Sequence, residues 1–187
     1  CVIAEDTRVT KRLLDHYKIV KPLISFHEHS DERSWKKIRD ALANGESVAV
    51  IMGDDFFYNI DGSSEIARLI EGTPQGESAV LGAVLPKGDN ITGRYGSIEE
   101  DTEGNLIRIT EHPEIAPEPF VKNVSKYTVN YEMLMAVKDY VDTTTEEGEY
   151  YIFEPFERMI AHGQKMKVIH SKGQYLDGGN VDGWLYA

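Results

Sequence analysis

An uninterrupted apolar run, Val48-Ala49-Val50-Ile51-Met52, stops at Gly53-Asp54-Asp55. A run this short, bounded by a turn residue, fits a strand buried on both faces, and such strands belong to parallel sheets covered by helices. Helical and strand-like patterns alternate around it. Residues 7–17 read as a helix with Val9, Leu13, Leu14 and Tyr17 on one face, between short strands at 1–4 and 23–26. Residues 31–43 place Trp35, Ile38 and Leu42 at helical spacing, and Asn44-Gly45 stops them. Ser63 or Ser64 can cap a helix that ends at Gly72. Residues 78–85 form a second apolar strand. Strands at 95–100 and 106–110 flank Asp-Thr-Glu-Gly-Asn, a hairpin signal. Then follow a strand at 121–129, a helix at 131–140, a helix at 149–162 with Pro155 in its first turn, a strand at 165–169 and a helix beginning at 181. The pattern predicts an α/β fold: a mixed, mainly parallel sheet flanked by helices.

Charge is divided unevenly. Residues 1–51 hold 9 Lys+Arg and 8 Asp+Glu, a net of +1; residues 52–187 hold 11 and 24, a net of −13, together the −12 of the whole chain. The acidic part repels a phosphate backbone, so nucleic acid is expected as a partner only for the first 50 residues. No run of 18 apolar residues appears, so no membrane span is expected. Cys1 is the only cysteine, which rules out an internal disulfide or a zinc site built on several thiolates and suits a cytoplasmic protein. The opening Cys-Val-Ile-Ala-Glu-Asp has no Met and reads like the inside of a strand, as expected of a fragment.

Asp54 and Asp55 directly follow the apolar run, and open α/β sheets bind ligands at the carboxyl ends of their strands. Paired carboxylates there suit Mg²⁺, which takes one or two carboxylates together with substrate phosphate oxygens. The spacing alone fits a solvated turn as well. Asp177 follows Tyr175-Leu176 and precedes Gly178-Gly179, where a ligand could approach the backbone. His27 and His29 would point the same way on a strand, a conceivable metal pair, although a solvated loop fits them too. Glu5 to Arg8 suit a helix N-terminus, Lys36, Lys37 and Arg39 a solvated helix face, and the aromatics at 56–58 and 150–156 the core.

From about residue 48 onward, five stretches together resemble the nucleotide-sugar pyrophosphorylases, the glucose-1-phosphate uridylyl- and thymidylyltransferases. They are Val-Ala-Val-Ile-Met-Gly-Asp-Asp-Phe-Phe-Tyr (48–58), Arg-Tyr-Gly-Ser-Ile-Glu-Glu-Asp (94–101), Ile-Thr-Glu-His-Pro (109–113), Gly-Glu-Tyr-Tyr-Ile (148–152) and Gln-Tyr-Leu-Asp-Gly-Gly (174–179). The resemblance implies an incomplete Rossmann-like nucleotidyltransferase core over residues 51–187. It implies transfer of a nucleotidyl group from an NTP to a sugar 1-phosphate, with release of pyrophosphate. It implies that Asp54 and Asp177 hold Mg²⁺, that Glu111 and Glu149 accept hydrogen bonds from sugar hydroxyls, and that Lys126 contacts phosphate. The chain departs from the family at His112, where the family has Lys, and at Ile152-Phe153-Glu154, where it has Leu-Thr-Asp. The family's Gly-rich loop, a Gly-x-Gly-x-x-Arg pattern whose backbone N–H groups cradle a triphosphate, does not occur in the sequence. Little or no turnover is therefore expected.

Residues 1–50 resemble another family, the rRNA ribose 2′-O-methyltransferases of the tetrapyrrole-methylase class. The matching stretches are Ala-Glu-Asp-Thr-Arg-Val-Thr-Lys-Arg-Leu-Leu (4–14), Pro-Leu-Ile-Ser-Phe-His-Glu-His (22–29) and Glu-Ser-Val-Ala-Val-Ile (46–51). That resemblance implies methyl transfer from S-adenosylmethionine to 16S rRNA, with Lys36, Lys37 and Arg39 on the RNA side. The Pro-x-Gly-Asn and Ser-Asp-Ala-Gly-Thr-Pro loops on which the family relies are absent. Three expectations stand together: a nucleotidyltransferase domain, a methyltransferase fragment, or a chimera without activity. Homo-oligomer formation stays open.

Overall fold

The computed structural model describes all residues except 5, 17, 27–29, 45–46, 53, 87–92, 116, 146–150 and 180–187, and the side chain of Leu13. The chain forms two compact units, Cys1–Glu46 and Ser47–Ala187. In the first, β1 (Val2–Ala4) and β2 (Leu23–Ser25) pair in parallel, Val2 opposite Leu23, with α1 (Thr7–His16) as the crossover. Asp6 caps α1 by accepting from the backbone N–H groups of Arg8 at 2.8 Å and Val9 at 3.3 Å. The Arg8 side chain on the same carboxylate, with those N–H groups, holds Asp6 down at a pKa of about 2. Val9, expected on the apolar face, is exposed. In α2 (Glu32–Ala43) Asp31 is the N-cap, accepting from Ser34 N, and the expected Trp35, Ile38 and Leu42 are buried.

The second unit is built on a mixed six-stranded sheet. The strands are β3 (Val48–Ile51), β5 (Ser78–Leu85), β6 (Ser97–Glu100), β7 (Leu106–Thr110), β8 (Phe120–Val129) and β9 (Met166–His170). They run in the order β7-β6-β8-β5-β9, with β3 added on β8. An α/β fold with a mixed sheet and flanking helices is thus what the chain adopts. The balance of pairings differs from the expectation: within this sheet β5–β9 is parallel, and the other pairs among its described strands are antiparallel. The run at 48–52, read as a buried parallel strand, is antiparallel to β8 and only half-buried. It has a strand neighbour on one side alone among the described residues, and its apolar character covers one face of an edge.

Helices cover both faces. On one, α4 (Tyr131–Thr143) and α5 (Phe153–Ala161) pack Met133, Phe153 and Phe156 against Val80, Val121, Tyr127 and Val129. On the other, Leu69 of α3 (Glu65–Gly72) meets Ala79, Leu81, Ala83 and Val124. β5 alternates between these clusters with the period of two that a strand imposes. Its Gly82 has no room for a side chain, since a Cβ would lie 2.6 Å from the Val121 side chain. Pro155 sits in the first turn of α5, where a missing N–H costs nothing.

A second, two-stranded ribbon joins β4 (Asp55–Tyr58) antiparallel to β10 (Gln174–Asp177), with Asp55 opposite Asp177. No strand is expected at 55–58 from the sequence pattern. Of its aromatics, Phe57 packs against the α3-side cluster as expected, whereas Phe56 and Tyr58 are exposed. Buried Glu65 pins the far end of the ribbon. It accepts from Asn59 Nδ2 at 2.6 Å in the loop after β4, and from the backbone N–H groups of Lys172 at 3.1 Å and Gly173 at 2.8 Å before β10. Arg68 Nε adds a fourth contact at 2.9 Å.

Candidate active site

The cleft lies where β8 changes neighbours. Its first half borders β6, with Lys122 opposite Ser97, and its second half borders β3, with Lys126 opposite Ile51. Between them the β5–β8 register slips, because Val80 pairs with Tyr127 but Gly82 with Asn123. Ser125 takes up the slack with a φ of 49°, in the left-handed region that costs a non-glycine residue energy. A bulge of this kind aims side chains out of the regular ladder and recurs beside active sites. An open cleft of about 350 Å³ forms there, lined by residues from β4, β8, β10, the segment before β6 and the segment after β7.

Three of the expected site residues, Asp54, Asp177 and Glu111, line this cleft. The ribbon sets the first two. Gly178 N donates to Asp54 O at 2.7 Å, continuing the β4–β10 pairing past its end. A Cβ on Gly179 would lie 3.4 Å from Asp177 Oδ1 and 3.6 Å from Asp54 Oδ2, so the two carboxylates border one small volume. Glu111 follows β7 and packs on Gly96, where a Cβ would lie 2.3 Å from its Oε1. Lys126 does not reach the cleft. It is 4% exposed, and its ammonium donates to the carbonyls of Asp55 at 2.8 Å, Met52 at 3.3 Å and Val124 at 3.4 Å. Burial pulls its pKa below the ordinary lysine value, against the attraction of Asp55 and Asp54. Glu149, His27, Glu28 and His29 lie outside the described residues.

Several site residues were not singled out from the sequence. Lys122, 5% exposed, donates to Asp55 Oδ1 at 2.8 Å and to the Tyr175 hydroxyl at 2.5 Å. Tyr175 in turn donates to Asp55. The same ammonium lies 4.2 Å from the centre of the Tyr175 ring and 4.8 Å from that of Tyr95. Asp177 accepts from Gly179 N at 3.0 Å, Tyr95 OH at 3.1 Å and Arg94 at 3.3 Å. Burial works to raise its pKa, but the Gly179 N–H, the Tyr95 hydroxyl and the charges of Lys122 and Arg94 outweigh it and hold the carboxyl below its usual range. Burial and the hydrogen bond to Asp177 push Tyr95 up to about 12. A signal for this network existed: Lys122 and Asn123 follow Phe120-Val121 directly, polar residues in the middle of a strand-like stretch.

The donor set tests what the cleft can hold. No group of three or more His, Cys, Asp or Glu that could hold a metal occurs among the described residues. Two carboxylates bordering one volume suit a hard cation that completes its shell with water and phosphate oxygens.

The nucleotidyl transferase family model matches residues 14–187. The chain belongs to this family. The match begins inside the segment that resembles the methyltransferases. Among sequence relatives, the bifunctional sugar-1-phosphate nucleotidylyltransferase/acetyltransferase of Sulfurisphaera tokodaii is 30% identical over 142 residues, 75% of this chain and 31% of that protein. A ribosomal RNA small subunit methyltransferase I from Halalkalibacterium halodurans is 44% identical over 50 residues, 27% of this chain and 17% of that protein. The chain thus spans under a third of either relative. A UDP-glucose pyrophosphorylase from Acinetobacter baumanii superposes with a TM-score of 0.64 at 16% identity, over 97% of this chain and 68% of that one. That likeness is one of fold. It shows that the nucleotidyltransferase architecture, mixed sheet and flanking helices, is the one this chain adopts. No helix among the described residues is long and apolar enough to cross a membrane.

Proposed function

We propose that the cleft binds a sugar 1-phosphate and a nucleoside triphosphate, with Mg²⁺ held by Asp54 and Asp177, and that its chemistry is nucleotidyl transfer. The observation that carries this reading is the placement of Asp54 and Asp177 on one rim by the β4–β10 ribbon, where both border Gly179. In the reaction an oxygen of the sugar phosphate attacks the α-phosphorus, and the bond from that phosphorus to the bridging oxygen breaks as pyrophosphate leaves. The nucleophile is already anionic, so positioning and charge neutralisation are what the site must supply. Glu111, against Gly96, would accept from sugar hydroxyls, and Glu149 is assigned the same role by sequence. Lys126 acts from beneath the floor, through the carbonyls of Asp55 and Met52, rather than on phosphate directly. The divalent ion would neutralise charge building on the phosphates.

Turnover by these 187 residues alone is proposed to be slow, because they contain no Gly-x-Gly-x-x-Arg loop. Losing one preorganised donor to developing charge costs about 3–4 kcal/mol. Pyrophosphate release from UTP or dTTP with glucose 1-phosphate and Mg²⁺ is the test. Slow, metal-dependent release that disappears in Asp177→Asn supports the reading; release unaffected by that change overturns it.

The identity to a methyltransferase over 50 residues supports a second reading, confined to that segment. We propose that it retains no S-adenosylmethionine site, since both cofactor loops are absent from the sequence. Calorimetric titration should show no binding, and a micromolar dissociation constant would revive the methyltransferase reading.

A further inference from the structure

We infer that Arg94 is an exchangeable cation of the cleft: it holds Asp177 while no divalent ion is bound, and turns to the phosphate of the sugar 1-phosphate when that ion arrives. The inference rests on the proposed metal role of Asp177 and adds a residue that role does not include.

Among the described residues, three basic side chains stand at or under the cleft, and the structure treats them differently. Lys122 is committed to Asp55 and Tyr175, with side-chain exposures of 7% for Lys122 and 9% for Asp55. Lys126 is committed to three backbone carbonyls and is buried. Arg94 has a side chain 49% exposed, and its contact to Asp177 is 3.3 Å, at the long end for a charge-assisted bond. Among the described residues lining the cleft, it is therefore the cation that can change partner at least cost, since ion pairs open to water are weak.

Its surroundings fit that exchange. The guanidinium lies 4.8 Å from the centre of the Tyr95 ring, an attraction that keeps it at the mouth without fixing its direction. Tyr95 donates to the same Asp177 oxygen as Arg94, so that oxygen keeps a donor when Arg94 leaves. The backbone beside Arg94 is anchored: Gly93 N donates to Pro113 O at 3.2 Å, and His112 Nδ1 lies 3.1 Å from Gly93 O. The side chain thus pivots from a fixed point next to Glu111, the residue proposed to hold the sugar. Arg94 contacts Oδ2 of Asp177, the neighbour of the Oδ1 that borders the volume shared with Asp54; a divalent ion on that carboxylate repels a guanidinium beside it, so it competes with Arg94. A released guanidinium then faces an arriving phosphate, for which its planar fork is suited.

Mn²⁺ binding to the full chain, read from the electron paramagnetic resonance of the free ion, separates the possibilities. Arg94→Gln should bind Mn²⁺ about two- to fivefold more tightly than the parent, because the internal competitor is gone. At saturating Mn²⁺, glucose 1-phosphate should bind the same variant about tenfold more weakly in calorimetry. Unchanged or weaker Mn²⁺ binding in Arg94→Gln, with binding lost in Asp177→Asn, overturns the exchange and leaves the metal site standing. Parent-like Mn²⁺ binding in Asp177→Asn overturns the metal site and the exchange with it.

Discussion

The ammonium of Lys122 lies 2.8 Å from the carboxylate of Asp55, joining the middle of the main sheet to the first residue of the ribbon. Both side chains are less than a tenth exposed. Removing one partner of such a pair leaves a charge with neither water nor counter-ion. Lys122→Ala should therefore lose about 3–5 kcal/mol in urea unfolding. The double variant Lys122→Met/Asp55→Leu should recover most of the loss, because it leaves no orphaned charge. A loss under about 1 kcal/mol in the single variant would show that the pair is solvated.

Ser125 sits at a φ of 49°, where a Cβ crowds the backbone. Ser125→Gly removes that strain at the cost of a more flexible unfolded chain, and the net should be a gain of up to about 1 kcal/mol. Ser125→Val should lose more than about 1 kcal/mol, since a branched Cβ makes the same backbone far worse. Paired melting curves of the two variants check the order.

Stability on the acid side should depend on Glu65. Burial works to raise its pKa, but the Asn59 amide, the Gly173 and Lys172 N–H groups and Arg68 outweigh it and hold the carboxyl below the usual 4.5. A lowered folded-state pKa means that the ionised form stabilises the fold. This contribution is complete above 4.5 and is lost as pH falls through the lower folded value. In Glu65→Gln the melting temperature should be reduced at neutral pH, and its deficit against the parent should shrink as pH drops through that window. A deficit that stays constant with pH would contradict the assignment.

The alkaline side carries the opposite sign. Burial pushes Tyr127 up to about 12, and Tyr95 reaches the same value with help from Asp177. The unfolded chain gives up these protons nearer the ordinary value of 10, so their contribution is intact below 10 and declines as pH rises towards 12. Ultraviolet titration of the folded protein should find these phenols protonated at a pH where the unfolded chain has ionised them.

The elements that were readable from sequence are those with strong local signals. The cap at Ser63 or Ser64, which Ser64 fills, the helical spacing of Trp35, Ile38 and Leu42, the hairpin at 101–105 and the position of Pro155 all appear where turn and helix chemistry put them. The direction of β3 was not readable, because a short apolar run is compatible with either pairing and only β8 decides it. β4 was hidden because its edge position exposes Phe56 and Tyr58, which breaks the polar–apolar alternation that marks a half-buried strand. Asp54, Asp177 and Glu111 could be singled out by resemblance. The counter-ions around them could not, because Arg94, Tyr95, Lys122 and Tyr175 meet only through contacts spanning more than 50 residues.

The bulge in β8 obeys a parity rule. Between the pairs Val80–Tyr127 and Gly82–Asn123, β5 advances two residues and β8 four, a surplus of two. An even surplus returns the strand to the face it left, so Val121 before the bulge and Tyr127 and Val129 after it share one cluster. Losing one residue at 124–126 would send Tyr127 and Val129 to the α3 side and Lys126 into the apolar layer beneath α4 and α5. Losing two would straighten the ladder and keep every side chain on its own side. Chain length at this point is thus constrained in steps of two, a restriction absent from any solvent-facing turn of the same size.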